Sequence, residues 1–280
     1  MNENSLIRLS IFFGVFSLMA LLELAWPARH AALKRRYRWQ ANLSVVVIGA
    51  IIARLILPAT LAGVAIFAQD NQLGLFHHLV PPPWLAIVLG VLWLDCVIYW
   101  QHRLFHRVPV LWRIHRMHHA DSHVDTTTGL RFHPVEIMLS LGIKAAAILL
   151  LGVPALAVVI FEVALNAFSI FNHSNIRLPQ NIDDKLARLV ITQRLHRIHH
   201  SQYAAETNSN FGFSVSWWDK LFGSFKARAQ QPDENLDIGQ QQYPPSKYNS
   251  SLWRLLTMPL DKPATDTKSA AYNAIDDSQK

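Results

Sequence analysis

The sequence has one cysteine, Cys96, in 280 residues, and it lies inside an apolar run. A single thiol excludes an intrachain disulfide framework and any zinc or iron–sulfur site built on several cysteines. Charge is scarce as well. Asp, Glu, Lys and Arg make up 16% of the residues against 51% hydrophobic, which is too apolar for an ordinary soluble domain and points to membrane spans. Acids are the scarcer sign, 19 against 26 basic residues, for a formal charge of +7. The basic residues flank the apolar runs, so they fit an anionic membrane surface and no nucleic acid is expected as a partner. No G-x-G-x-x-G occurs, so no fused nicotinamide or flavin module is expected. No Glu-x-x-His occurs either, the pair that soluble di-iron bundles use. The first apolar run lacks the basic lead and small-residue cleavage site of a secretory signal and is read as retained.

What the chain does have is apolar runs of spanning length. They cover Ile7 to Trp26, Leu43 to Ala68 (interrupted by Arg54 and Pro58), Trp84 to about Trp100, Val135 to Leu151 and Pro154 to Phe171. About 20 apolar residues cross a hydrocarbon core. The expected fold is therefore an all-α membrane protein with four to five transmembrane or re-entrant helices and a helical cap. The second run is expected to kink or to fold back as a re-entrant hairpin. Pro27 to Gln40 reads as a loop with five basic residues and no acid, and positive loops stay cytoplasmic. That places the N-terminus outside and the cap on the cytoplasmic side, in a bacterial inner membrane. Leu178 to Ile191 reads as an amphipathic interfacial helix, Phe211 to Phe225 as an aromatic interfacial anchor, and Asp261 to Lys280 as a disordered tail.

Histidine is concentrated in the cap. His102 and His106 are spaced H-x3-H, and His115, His118 and His119 are spaced H-x2-H-H, a pattern that returns at His196, His199 and His200. On a helix, residues i, i+3 and i+4 share a face, so each box is expected to aim its imidazoles one way and the three boxes to converge on one site. Neutral imidazole is the commonest protein ligand of iron, zinc and copper. Eight histidines exceed the needs of one ion and fit two ions with about four imidazoles each. Asp95 lies two helical turns before His102, roughly 10 Å deeper along the helix. A carboxylate at that depth is a functional candidate, and the expected role is to bond an imidazole from a neighbouring helix.

The three boxes in this order resemble the fatty acid hydroxylase superfamily, specifically its sterol desaturase branch. The segments R-F-H-P-V-E (Arg131 to Glu136), N-H-S-N (from Asn172) and W-D-K-L-F-G-S-F (from Trp218) are similar too, and the likeness covers Trp84 to Phe225. The resemblance implies a membrane-embedded non-haem di-iron enzyme, with zinc able to replace iron, that uses O2 and external electrons to hydroxylate or desaturate a lipid C–H bond. It implies His102, His106, His115, His118, His119, His196, His199 and His200 as ligands and His173 as a ninth. His133 also matches, but a structural role beside Arg131 and Glu136 suits it better. A ferredoxin-like or cytochrome protein is implied as electron donor. His30, His77, His78 and His123 lie outside the boxes and are read as ordinary polar residues.

The expected organisation is membrane helices over residues 1–83, a catalytic domain over 84–226 and a C-terminal cytoplasmic tail over 227–280. The competing reading is a membrane protein that binds or transports metal through its histidine clusters, without redox catalysis. A transporter would place its ligands at mid-membrane on broken helices, whereas these boxes follow the ends of the runs.

Overall fold

The computed structural model describes residues 3–56 and 59–262. Helix α1 (Glu3–Ala25) is followed by α2 (Arg35–Ile56), α3 (Leu61–Asp70), a short α4 (Leu75–Leu79) and α5 (Pro83–Arg107). After α6 (Pro109–His119), helices α7 (Pro134–Leu151) and α8 (Ala155–His173) form a hairpin. Short helices complete the cap: α9 (Gln180–Leu186), α10 (Gln193–His199), α11 (Ala204–Thr207), α12 (Trp217–Leu221) and α13 (Leu252–Thr257). Among the described residues, five stretches are long and apolar enough to cross a membrane: Leu6–Ala25, Arg35–Asp70, Pro83–Arg107, Pro134–Leu151 and Ala155–His173. Their outer faces carry Phe13, Leu21, Ile51, Leu55, Trp84, Leu150 and Leu156, all exposed. Such surfaces suit lipid, where exposed apolar area costs nothing.

Helix α7 starts at Pro134, whose missing N–H is not needed in the first turn, and the His133 ring caps it by accepting from Val135 N at 3.2 Å. It ends at Gly152, in the left-handed region at φ +72°, and the chain reverses into α8. Gly74, at φ +100°, packs on this turn so closely that a Cβ would lie 2.1 Å from Gly152 N. Two glycines thus let the α3–α4 corner seat against the hairpin tip. Below it, Leu61 and Ala65 of α3, Leu94 and Ile98 of α5, Ile148 of α7 and Val158 and Phe161 of α8 form one buried cluster. Helix α1 runs parallel to α8. Arg8 Nη2 bonds Glu162 Oε2 at 2.6 Å near one end, and Glu23 Oε1 accepts from Asn175 N at 2.7 Å near the other.

The structure departs from the sequence expectation in several places. The basic stretch before Gln40 is helical from Arg35 onward, and Arg38 is buried in it. Its guanidinium forks onto Asp121 (Nε–Oδ1 and Nη2–Oδ2, both 2.8 Å) and reaches Asp125 Oδ2 at 2.6 Å. Two basic charges read as membrane-facing are therefore spent within the protein's own contacts: the buried Arg38, and the half-buried Arg29, which donates to the carbonyls of Asp233 and Leu236. The second run breaks between Ile56 and Leu61, where Thr60 caps α3 through Gly63 N at 3.0 Å; Pro58 lies outside the described residues. Only Gln180–Leu186 of the expected interfacial helix is helical, and its Asp183 turns inward to pair with Arg194. Residues 227–262 wrap the cap, with Leu236, Ile238, Tyr243, Leu255 and Met258 buried. Asp261 belongs to this wrap through Arg254 (2.9 Å) and Tyr243 (2.7 Å). The remainder of the expected tail, from residue 263, lies outside the described residues.

Candidate metal centre

Four helices end at the same place. The last turns of α5, α6, α8 and α10 contribute His106, His118 and His119, His173, and His196 and His199. A helix C-terminus carries the equivalent of about half a negative charge, so four of them aim partial negative charge at the space the histidines enclose. This matters because, among the described residues, no carboxylate offers itself as a ligand in either group described below. Sequence places histidine where a cation is wanted, and the fold brings the four negative poles together.

The histidines form two groups, not one. His102, His106, His115, His119 and His199 make the first, and His118, His173, His196 and His200 the second; in each, one ring nitrogen per residue lies within 4.8 Å of all the others. Each H-x2-H-H box is therefore split. Residues at i and i+4 point alike, whereas i+3 diverges from i+4 by the 100° of one residue. His115 and His119 accordingly serve the first group while His118 serves the second. In the third box the roles reverse: His196 and His200 serve the second group and His199 the first. The expectation that each box aims one way is corrected by this divergence. His173, matched by resemblance alone, takes its place in the second group, whereas His133 lies apart and bonds Leu256 O at 3.2 Å.

The nitrogens are set for a cation. In the first group, Nε2 of all five rings is buried with no hydrogen-bond partner. Their Nδ1–H atoms are partly engaged: His102 donates to Phe211 O at 2.7 Å, His199 to Ser209 O at 2.8 Å and His115 to Glu136 Oε1 at 2.7 Å. Such bonds fix the tautomer that leaves the Nε2 lone pair free. In the second group, Nε2 of His173 lies 3.1 Å from that of His118 and 2.8 Å from that of His196, which lies 3.2 Å from that of His200. Nitrogens at right angles on an ion at about 2.1 Å sit about 3.0 Å apart, so the spacing is that of ligands around one centre. Burial and the neighbouring rings push His118, His119, His196 and His200 well below the usual imidazole range, and burial pushes His199 down to about 3. Both effects favour the neutral ring, the form a metal ligand must have. The donor set, the free Nε2 lone pairs and the spacing all fit two metal ions.

Aromatic rings close the site. Phe211 packs on His106 with centroids 5.1 Å apart, Phe132 stacks on His118 at 4.5 Å, and Phe213 lies 5.1 Å from His102. The segment from Phe211 to Phe225, read as an interfacial anchor, is thus largely turned inward. Its organiser is the buried Asp219, which accepts from Phe211 N at 2.7 Å, Gly212 N at 2.9 Å and Ser224 Oγ at 2.7 Å. Asp219 thereby holds the Phe211 carbonyl that orients His102. The sequence marked this aspartate within W-D-K-L-F-G-S-F but not its task, and backbone acceptors such as Phe211 O and Ser209 O leave no sequence signal. Asp95 does not bond an imidazole as expected. It accepts from Trp218 Nε1 at 2.8 Å, so its depth along α5 serves to pin α12. His123, read as an ordinary polar residue, is buried at the α2–cap junction, with Nε2 3.2 Å from Asn175 Nδ2.

Comparison with known proteins meets this geometry at the same residues. The fatty acid hydroxylase family model matches residues 87–224. Residues 87–224 belong to the fatty acid hydroxylase family. An ornithine lipid hydroxylase (OlsE) of Rhizobium tropici is 33% identical over 166 residues, 58% of this chain and 49% of its own. The human alkylglycerol monooxygenase is 28% identical over 151 residues, 54% of this chain and 32% of its own. A Delta(7)-sterol 5(6)-desaturase (erg3C) of Aspergillus fumigatus is 26% identical over 178 residues, 55% and 52% of the two chains. The chain thus spans about half or less of the length of these relatives. No solved structure matches. The family segment takes in all nine histidines of the two groups.

Proposed function

We propose that this protein is an integral membrane di-iron oxygenase that uses O2 and external electrons to hydroxylate or desaturate a lipid C–H bond. The observation that carries the reading is the pair of buried all-imidazole groups with their Nε2 atoms turned toward common centres. The ligands would be His102, His106, His115, His119 and His199 for one ion and His118, His173, His196 and His200 for the other. Two iron ions held there supply the oxidising power that an unactivated C–H bond demands, which no acid, base or nucleophile of a protein can provide.

The chain's own residues do the rest. Phe211 O, Ser209 O, Ser169 O and Glu136 hold imidazole rings in position. Phe132 and Phe213 line the histidines with apolar rings, and Phe213 also packs against the buried core of the spans. Hydroxylation is favoured as the outcome over desaturation, since the relatives named as hydroxylase or monooxygenase include the one at 33% identity. Residues 84–226 would form the catalytic unit, and an electron-transfer protein of the ferredoxin or cytochrome kind would supply the electrons.

The test is metal analysis of the purified protein together with O2 consumption on addition of a reductant and a membrane lipid extract. About two iron per chain and lipid-dependent O2 uptake with a mass gain of one oxygen are expected. Bound metal without O2 uptake would favour a metal-binding or transport protein instead.

The histidine face is proposed to lie on the cytoplasmic side. In intact cells, cysteines introduced at His30 and Lys247 are expected to resist an impermeant maleimide, while one at Asn71 reacts. The opposite pattern overturns the orientation and leaves the site itself untouched.

A further inference from the structure

We infer that the two histidine groups are unequal metal sites, that the five-histidine group fills first, and that Glu136 is the positioning residue behind its advantage. The inference rests on the reading that both groups hold metal.

Its first ground is the count of donors, five nitrogens against four. Its second is how the rings are held before any ion arrives. In the five-histidine group the Nδ1–H of His102, His115 and His199 each has a protein acceptor at 2.7–2.8 Å. In the four-histidine group only His173 has one, Ser169 O at 2.7 Å, whereas Nδ1 of His118, His196 and His200 is buried with no partner in the protein. An anchored ring already has the tautomer and direction that a metal needs. An unanchored ring must be ordered on binding, and its buried N–H gains no protein acceptor in return. Both effects weaken the second site relative to the first.

Glu136 adds charge to this difference. Among the described residues it is the only carboxylate bonded to a histidine of either group. It is buried in the first turn of α7, where the helix N-terminus stabilises an anion. From there it draws on the His115 Nδ1 proton and makes the opposite nitrogen a stronger donor. Its other oxygen, Oε2, is buried and makes no hydrogen bond, so the carboxylate's protein contacts go to His115.

The experiment is a calorimetric titration with Co(II) of the full-length protein, stripped of metal in detergent, with the visible absorption of bound cobalt followed in parallel. Wild type is expected to take up two ions in two resolved steps. His200→Ala should remove or weaken the second step and leave the first. Glu136→Gln keeps a hydrogen-bond acceptor for His115 but removes the charge. It should weaken the first step by about 10–100-fold, the usual cost of losing an orienting partner, and leave the second unchanged. Two equal steps in wild type, or a Glu136→Gln effect confined to the weaker step, would overturn the inference. If Glu136→Gln loses its helical circular dichroism, the wild-type isotherm and His200→Ala decide alone, and loss of the tighter step in His200→Ala overturns it. No Co(II) binding by wild type would remove the metal reading itself.

Discussion

Alanine at His118 or at His199 is expected to abolish lipid oxidation and to lower bound metal, with His118→Ala releasing more of it. The difference follows from the grouping. His199 is one of five nitrogens around its centre, and removing it leaves four; His118 is one of four, and removing it leaves three. His118 also carries the Phe132 ring stacked on it at 4.5 Å, so its loss removes that ring's support as well. Losing a partner that merely orients a ligand costs about 10–100-fold in affinity or activity, and losing the ligand should exceed that. His30→Ala, in the exposed loop after α1, should change neither quantity. Iron counted by mass spectrometry beside turnover in the same preparations checks the set. Two ions per chain retained after both box substitutions would make the ligand assignment wrong.

Arg38→Met is expected to cost the protein about 3–5 kcal/mol, the usual result of removing one partner of a buried ion pair. Two carboxylates depend on this guanidinium. Burial raises the cost of charge on Asp121, yet Arg38 and Arg131 hold its carboxyl well below the usual range. Asp121 also accepts from Thr128 Oγ1 at 2.8 Å, and Asp125 from Thr127 Oγ1 at 2.7 Å. Together they shape the loop that brings Gly129 against Ser169 and His173, where a Cβ on Gly129 would lie 2.6 Å from Ser169 O. Loss of Arg38 should therefore loosen the four-histidine group before the five-histidine one. A thermal midpoint lowered by several degrees in detergent, with metal content falling toward one ion per chain, is the expected signature. Arg38→Lys restores the charge but not the fork onto Asp121 and should recover only part of the loss. An unchanged midpoint for Arg38→Met would show that the buried pair contributes little.

The sequence alone determined the class of fold, because a hydrocarbon core leaves few options to a chain with apolar runs of this length. It also determined the chemistry: eight histidines at helical spacings, and one cysteine, leave imidazole as the natural metal ligand. An interruption of the second run was expected too, and a new helix capped by Thr60 starts there. What sequence could not supply was the division of labour within each box. Spacing gives angles about one helix axis, but which of two diverging faces meets which neighbour depends on how four helices cross. Only the tertiary structure sends His115 and His199 to one centre and His118 and His196 to the other. The fold likewise decided the fate of Arg38, read as a membrane-facing charge, because Asp121 and Asp125 lie more than 80 residues away and announce no pairing. It redirected Asp95 from an imidazole to Trp218 for a similar reason: depth along one helix is set locally, whereas the partner arrives from a segment 123 residues downstream. The carbonyls of Phe211, Ser209 and Ser169, which hold three of the ligand rings, are backbone atoms common to every residue, and only their placement in space gives them a role.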